Sequence, residues 1–196
     1  MKKQMHYPLY EVEQFSSIKE MMELAAKDAG SKIAYKFKDG DEIKEITFAQ
    51  FVEEVGKLGA FLHENTTDKR HIACIGKNSY NWITAYMTAL RGNGVFVPVD
   101  KDLPETDIIH VINNSECSIV FCDGKYEEFF RSSISEFPSV DSFIVFDRME
   151  DDGKFLSFSK ALEKGSELDP SAFWAEQSDP NELKLLVYTS GTTGFS

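Results

Sequence analysis

The chain has 196 residues, of which 42% are hydrophobic and 13% aromatic. This composition is typical of a folded protein and not of a disordered one, and the length suits one large domain or two small ones. The 33 acidic side chains outnumber the 21 lysines and arginines and give a net charge of −12, which argues against nucleic acid and anionic membranes as partners because both require basic patches.

Two capping boxes mark helices in the first third of the chain. Ser17 and Glu20 begin a helix that we predict over residues 17–29. Thr47 and Gln50 begin a second helix, whose apolar residues recur with a period near 3.6.

Between these helices the sequence predicts a small β-hairpin. The runs Ile33–Phe37 and Ile43–Ile46 flank the turn segment Lys38-Asp-Gly-Asp41. We therefore expect a two-stranded unit near the N-terminus, before the main sheet begins.

Beyond the second helix, short apolar runs alternate with amphipathic segments. The runs lack polar alternation, as buried strands do, and they are Ile72–Ile75, Val95–Val99, Ser118–Cys122, Ser142–Phe146 and Leu183–Tyr188. Helical periodicity occurs near 79–91 and 104–114, more weakly near 125–135, and Phe155–Gly165 predicts a short helix. The alternation predicts an α/β fold with a mostly parallel sheet flanked by helices and joined by right-handed crossovers.

The three cysteines, Cys74, Cys117 and Cys122, lack a CxxC spacing. We expect reduced, buried thiols and not metal ligands. The N-terminus has no apolar signal core, and no segment approaches the ~18 continuous apolar residues of a membrane span. These features predict a cytoplasmic protein without a transmembrane segment.

The segment from Arg148 to Gly153 concentrates acidic side chains. Because charge clusters are usually solvated, we interpret it as an exposed turn and not as a metal site.

The end of the chain carries the clearest chemical signal. The run Leu183–Tyr188 leads directly into six small residues: Thr189, Ser190, Gly191, Thr192, Thr193 and Gly194. Glycines let backbone N–H groups approach a ligand, hydroxyls add donors, and α/β proteins hold phosphate in such loops at the carboxyl ends of strands. The P-loop pattern is not met, because the glycines are three apart and no Lys follows. We predict that these six residues bind phosphate; an ordinary flexible turn is the alternative.

The segment Tyr188-Thr-Ser-Gly-Thr-Thr-Gly194 resembles the phosphate-loop signature of the adenylate-forming (AMP-binding) superfamily. That superfamily includes acyl-CoA synthetases, peptide-synthetase adenylation domains and luciferases. Blocks within Asn78–Val99 and Leu103–Val120 are also similar to it, so the likeness spans about residues 17–194.

The resemblance implies that residues 1–196 are the N-terminal subdomain of an AMP-binding domain, interrupted within the phosphate loop. The implied activity is that of an ATP-dependent fatty-acid–CoA ligase, which forms an acyl-adenylate and pyrophosphate before CoA displaces AMP. ATP, Mg²⁺, CoA and a carboxylic acid would be its cofactors and substrates. The fragment itself would be inactive, since the family's catalytic Lys and metal-binding Glu would lie beyond Ser196.

Two alternatives to this ligase remain open. One is an adenylation domain that loads a carrier protein, and the other is a non-catalytic nucleotide-binding or interaction module. No side chain of the present chain is predicted to be catalytic, no metal ligand is assigned, and the acyl substrate and oligomeric state are left open.

Overall fold

The computed structural model describes residues 12–65, 70–92, 94–176, 179 and 181–189 of the chain. Within these ranges helices and strands follow one another in the order α1 Ile18–Ala29, β1 Ile33–Asp39, β2 Glu42–Thr47, α2 Phe48–Asn65, β3 Arg70–Ile75, α3 Tyr80–Arg91, β4 Gly94–Val99, α4 Glu105–Asn114, β5 Ile119–Cys122, α5 Glu127–Ser132, β6 Ser142–Val145, β7 Phe155–Ser157, α6 Phe158–Ser166 and α7 Ser171–Ala175.

Both N-terminal helices begin where their caps predict. The Thr47 and Gln50 pair forms a complete capping box, with each side chain accepting a hydrogen bond from the other residue's amide at 2.9 and 3.2 Å. Ser17 accepts from the amide of Glu20 at 3.2 Å, but the Glu20 carboxylate accepts from Ser16 instead. The first box is therefore only half formed, although α1 starts as predicted.

The predicted hairpin is confirmed. Strands β1 and β2 pair antiparallel, and Gly40 in the turn has a φ of 59°, a value that glycine adopts without strain. The hairpin packs through Tyr35 and Ile46 against an outer cluster that also includes Phe51 of α2.

The main sheet confirms the α/β expectation. Among the described residues, its five strands lie in the order β4-β3-β5-β6-β7, and every adjacent pair is parallel. Helices cover both faces, which gives three layers.

Alternation along the strands divides the core between the two faces. Ala73, Val97 and Val120 point to the side that packs on α4 and α5. Ile72, Phe96 and Phe121 point to the side that packs on α2, α3 and α6. Because α3 follows β3 on one face and α4 follows β4 on the other, the chain reverses its winding at β3.

Three of the predicted elements differ in the structure. Phe155–Ser157 is not helical but forms strand β7, because these residues pair with β6, and Ser157 then caps α6 by accepting from the amide of Lys160 at 3.3 Å. The segment 125–135 is only a short helix, α5, between two 3₁₀ turns. Leu183–Tyr188 is not a full strand, since it meets the sheet through one bridge between Phe96 and Leu185.

All three cysteines are free and fully buried, as expected. Burial raises the pKa of Cys117 to about 11, and it also raises the pKa values of Cys74 and Cys122. None of the helices in the described part of the chain combines the length and the apolar character that crossing a bilayer requires.

Candidate functional site

The last described segment brings the chain to the carboxyl edge of the main sheet. The amide of Phe96 donates to the carbonyl of Lys184 at 2.9 Å, and the amide of Leu186 donates to the carbonyl of Phe96 at 2.9 Å. The bridge is parallel, so the segment runs in the direction of β4. Thr189 therefore leaves the sheet at the edge where α/β proteins bind their ligands.

Of the six residues predicted to bind phosphate, the structure describes one. Thr189 is exposed at the end of the segment, and Ser190, Gly191, Thr192, Thr193 and Gly194 lie outside the described residues. The approach to the loop is thus defined, while the phosphate-binding role of the six residues stays a prediction.

The two faces of the segment have different surroundings. Leu186 and Tyr188 pack against the cluster beneath α4 and α5. Leu183, Leu185 and Val187 alternate with them and are 58%, 41% and 54% exposed. One face of the segment is therefore anchored in the core of the described chain, and the other is an apolar surface.

Close approach between neighbouring loops shapes the rest of this edge. Asp123, which follows β5, accepts a hydrogen bond from the amide of Lys77 at 2.8 Å. A Cβ on Gly76 would lie only 2.7 Å from Asp123 Oδ1. Gly76 thus leaves room for a carboxylate that ties the loop after β3 to the loop after β5.

The same arrangement recurs one strand further along. Asp147, which follows β6, accepts from the amide of Gly124 at 2.5 Å, and a Cβ on Gly124 would lie 2.6 Å from Asp147 Oδ1. These pairs are not apparent from the sequence. Their only trace in the sequence is a Gly or an Asp within two residues of the end of each strand.

Positive charge also occurs at this edge. Lys77, Lys101 and Lys125 lie in the loops that follow β3, β4 and β5, respectively. The hydrogen bond from Lys101 to Asp102, at 2.5 Å, raises the pKa of that lysine, and Lys125 lies 4.6 Å from the Tyr126 ring centroid. Local cations are therefore available at this edge, despite the net charge of −12.

The acidic side chains of the turn pair with cations, and most residues of the turn are exposed. Glu150 pairs with Lys160, Asp151 with Lys164 at 2.6 Å, and Asp152 with Arg131 at 2.9 Å. Within the part of the chain that the structure describes, no group of three or more His, Cys, Asp or Glu side chains is arranged to hold a metal.

A further contribution, not apparent in the sequence, comes from the end of α3. Arg91 is completely buried, although charged side chains seldom enter a protein core. Lys184, in the segment that leads to Thr189, donates to the carbonyl of Gly92 at 2.9 Å. The end of α3 therefore contacts the chain that delivers the candidate loop.

Comparison with known proteins gives a consistent family match. A model of the family described as AMP-binding enzyme matches residues 22–196. Tyrocidine synthase 2 of Brevibacillus parabrevis is 29% identical over 154 residues, which cover 78% of this chain and 4% of that protein. Long-chain-fatty-acid–CoA ligase 5 of Rattus norvegicus is 26% identical over 183 residues, which cover 87% of this chain and 27% of the ligase.

A solved structure extends the match to the fold. The adenylation domain of a carboxylate reductase from Mycobacterium chelonae superposes with a TM-score of 0.78 at 19% identity, covering 93% of this chain and 34% of that one. The likeness includes the helix-flanked parallel sheet. The present chain spans about a third of the length of that solved relative and a smaller share of the two curated ones.

Proposed function

The chain belongs to the AMP-binding enzyme family, and from this premise we propose that it is the N-terminal subdomain of an ATP-dependent carboxylate–CoA ligase acting on fatty acids. The enzyme would join a carboxylic acid to AMP, release pyrophosphate, and then transfer the acyl group to CoA. The similarity to the rat long-chain-fatty-acid–CoA ligase supports the choice of substrate class.

One observation carries the proposal. The segment 184–186 runs parallel to β4, so the chain reaches Thr189, the first of the six hydroxyl- and glycine-rich residues, at the carboxyl edge of the sheet. The loops of the same edge carry Lys77, Lys101 and Lys125, of which Lys101 is paired with Asp102.

The first half-reaction needs no nucleophile from the protein. An oxygen of the substrate carboxylate forms a bond to the α-phosphorus of ATP, and the bond from that phosphorus to the bridging oxygen breaks with release of pyrophosphate. The protein has to hold the β- and γ-phosphates in line and offset their charge. We assign this task to Thr189, Ser190, Gly191, Thr192, Thr193 and Gly194.

The second half-reaction transfers the acyl group. The CoA thiolate attacks the acyl carbon, and AMP leaves with the electron pair of the broken carbon–oxygen bond. Mg²⁺ would accompany ATP and share the phosphate charge. The described residues contain no acidic cluster suited to the ion, so no step is assigned to protein ligands of Mg²⁺.

A carrier-protein thiol is the alternative to CoA as the acceptor of the acyl group. The identity to tyrocidine synthase 2, 29%, slightly exceeds the 26% identity to the fatty-acid ligase. We therefore keep the loading of a carrier-protein thiol as the alternative to CoA. A cytoplasmic location is proposed for either enzyme, since its three free cysteines suit a reducing compartment.

The decisive experiment uses the full-length gene product. We expect carboxylate-dependent exchange of pyrophosphate into ATP with at least one fatty acid, and thioester formation with CoA. Replacing Thr189 by Ala should slow the exchange by about 10-fold, as expected for the loss of one hydrogen bond to a charged oxygen. The exposed Ser132→Ala variant on α5 should leave the rate unchanged.

Three results would redirect the proposal. An absence of exchange with any fatty, aryl or amino acid would end the ligase interpretation and favour a non-catalytic nucleotide-binding module. Thioester formation with a phosphopantetheine carrier, but not with CoA, would favour the adenylation-domain alternative. Tight Mg²⁺-dependent binding of ATP by residues 1–196 alone, measured by calorimetry, would contradict the expectation that the metal-binding part of the site lies beyond Ser196.

A further inference from the structure

A buried arginine at the end of α3 holds the chain that leads to the candidate phosphate loop. Arg91 has no exposed surface. Its guanidinium donates to the carbonyl of Trp174 and, at 3.4 Å, to the carbonyl of Glu176. The guanidinium carbon also lies 5.2 Å from the Phe173 ring centroid and 4.9 Å from the Trp174 ring centroid.

Stability alone does not account for this side chain. Burying a guanidinium costs free energy even when it is paired, and apolar residues of similar volume often replace buried ions without loss. The Nε atom of Arg91 is buried without a hydrogen-bond acceptor among the described residues, which adds to the cost. Arg91 donates hydrogen bonds to two carbonyl groups, and an apolar residue would not.

Other basic groups converge on the same short stretch of chain. Lys19 of α1 donates to the Trp174 carbonyl at 2.7 Å. His63 of α2 forms a 2.6 Å contact with the Glu176 carboxylate, whose side chain is 13% exposed. Burial lowers the pKa values of Arg70 and Arg91, and the charge of the same carboxylate opposes this effect on both. The stretch 174–176, which includes the end of α7, is thus held from α1, α2 and α3.

The end of α3 contacts the chain a second time, nearer to the loop. Gly92 directly follows Arg91 and accepts the hydrogen bond from the Lys184 ammonium at 2.9 Å. Two residues after Lys184, the amide of Leu186 donates to the carbonyl of Phe96. Arg91, at the end of α3, therefore contacts the chain at 174–176, and Gly92, the cap of α3, contacts it again at 184. Thr189 follows five residues after the second contact.

We propose that Arg91 is a positioning residue for the segment 184–189, which leads to the candidate phosphate loop. It fixes where the chain joins the sheet beside β4. This position sets the register in which Leu186 pairs with Phe96, and with it the point at which Thr189 leaves the sheet. The expected effect of Arg91 on ATP binding rests on the proposed function, whereas its effect on the segment 184–189 is independent of any activity.

Hydrogen exchange on the 196-residue chain tests the structural half. Arg91→Met keeps an apolar stem but removes the donors, and we expect the amides of Phe96 and Leu186 to exchange about 10-fold faster. Lys184→Met, which removes the contact to Gly92 and the 4.0 Å ion pair with Glu182, should accelerate the same two amides to a smaller extent. The matched control is Phe158→Leu in α6, a core change that touches neither 174–176 nor 184.

Kinetics of the full-length enzyme test the functional half. In the pyrophosphate-exchange assay, Arg91→Met should raise the KM for ATP about 10-fold, with a much smaller change in the KM for the carboxylate. Arg91→Lys, which can still donate to one carbonyl, should give an intermediate KM for ATP. Phe158→Leu should leave both KM values unchanged.

The outcomes separate the two proposals. If hydrogen exchange of the Phe96 and Leu186 amides accelerates equally in Phe158→Leu and in Arg91→Met, Arg91 has only a general stabilising role and the inference is overturned. If Arg91→Met does not fold, unchanged exchange and unchanged KM values in both Arg91→Lys and Lys184→Met would overturn it. Selective acceleration in a protein whose wild type exchanges no pyrophosphate would refute the proposed function and leave the positioning of the segment supported.

Discussion

The side-chain amide of Asn114 donates a 2.7 Å hydrogen bond to the hydroxyl of Tyr188. Asn114 is the last residue of α4, and Tyr188 immediately precedes Thr189. The contact joins a helix that packs on the sheet to the final residue before the candidate loop. It complements the anchors at Gly92 and Phe96, because it holds the segment at its loop end.

A double-mutant cycle should detect this bond. We expect Asn114→Ala and Tyr188→Phe each to lower the free energy of unfolding, with a coupling energy of about 0.5–1 kcal/mol because the pair is solvent-accessible. Urea titration of the two single variants and the double variant measures it. His110→Ala, exposed one turn earlier on α4, should show no coupling to Tyr188→Phe; strict additivity for the Asn114 pair would contradict the contact.

The packing of α6 on α2 depends on Gly165. A Cβ at this position would lie 2.0 Å from the backbone oxygen of Lys57, and backbone cannot move aside without separating the helices. Gly165→Ala should therefore lower the free energy of unfolding by about 1–3 kcal/mol, despite the higher helix propensity of alanine. The exposed Glu163→Ala on the same helix should change it by less than about 0.5 kcal/mol; equal effects in the two variants would show that the helices adapt.

Asp151 should contribute to stability in a defined pH range. Partial burial opposes its ionisation, but hydrogen bonds from Lys164 at 2.6 Å and the Ser157 amide at 2.8 Å outweigh this and lower the pKa of Asp151. Its contribution is therefore present above the ordinary value of 3.8 and is lost as the pH falls through the lowered pKa.

Replacing Asp151 by Asn tests this pH range. At pH 7 we expect Asp151→Asn to cost about 1 kcal/mol of unfolding free energy, and the difference from wild type should shrink as the pH falls below about 4. The exposed Asp141→Asn variant is the control and should be neutral at both ends. A cost that stays constant from pH 7 to pH 2.5 would show that the carboxylate charge is not involved.

The buried thiols predict instability at alkaline pH. The pKa of Cys117 is raised from 9.0 to about 11 by burial, so the unfolded chain loses this proton first as the pH rises above 9. Unfolding is then favoured, and by pH 10 this thiol alone should remove about 1 kcal/mol of stability.

Thiol labelling and denaturant titration check this prediction. At pH 8 the three cysteines should react with a thiol reagent only as fast as the chain opens, and all three should react at once in urea. The free energy of unfolding should fall between pH 9 and pH 10. Rapid labelling of the folded chain would contradict the burial.

Some elements were predictable because their cause is local. Thr47 and Gln50 satisfy each other's amides within one helical turn, and Gly40 supplies the positive φ of a hairpin. Strand β7 was not predictable in the same way. Its three residues become extended only because β6 lies beside them, and that neighbour is ten residues earlier in sequence.

The candidate site likewise combines a feature that is visible in the sequence with one that only the fold produces. The composition of Thr189–Gly194 indicates phosphate chemistry, whereas the sequence treats Arg91 as the end of an ordinary helix. Its burial follows from the return of Trp174 and Glu176 to α3 from more than 80 residues away. A contact of that sequence separation leaves no periodic signal.

By itself the sequence determined the starts of α1 and α2, the hairpin and the layered α/β class, since each depends on patterns among residues close together in the chain; the phosphate-binding role of Thr189–Gly194 stays a prediction. Only the tertiary structure decided that β3 is flanked by β4 and β5, that the last segment joins at Phe96, and that a buried cation holds the chain leading to it. Those features depend on which distant surfaces exclude water together, and chain order does not record that choice.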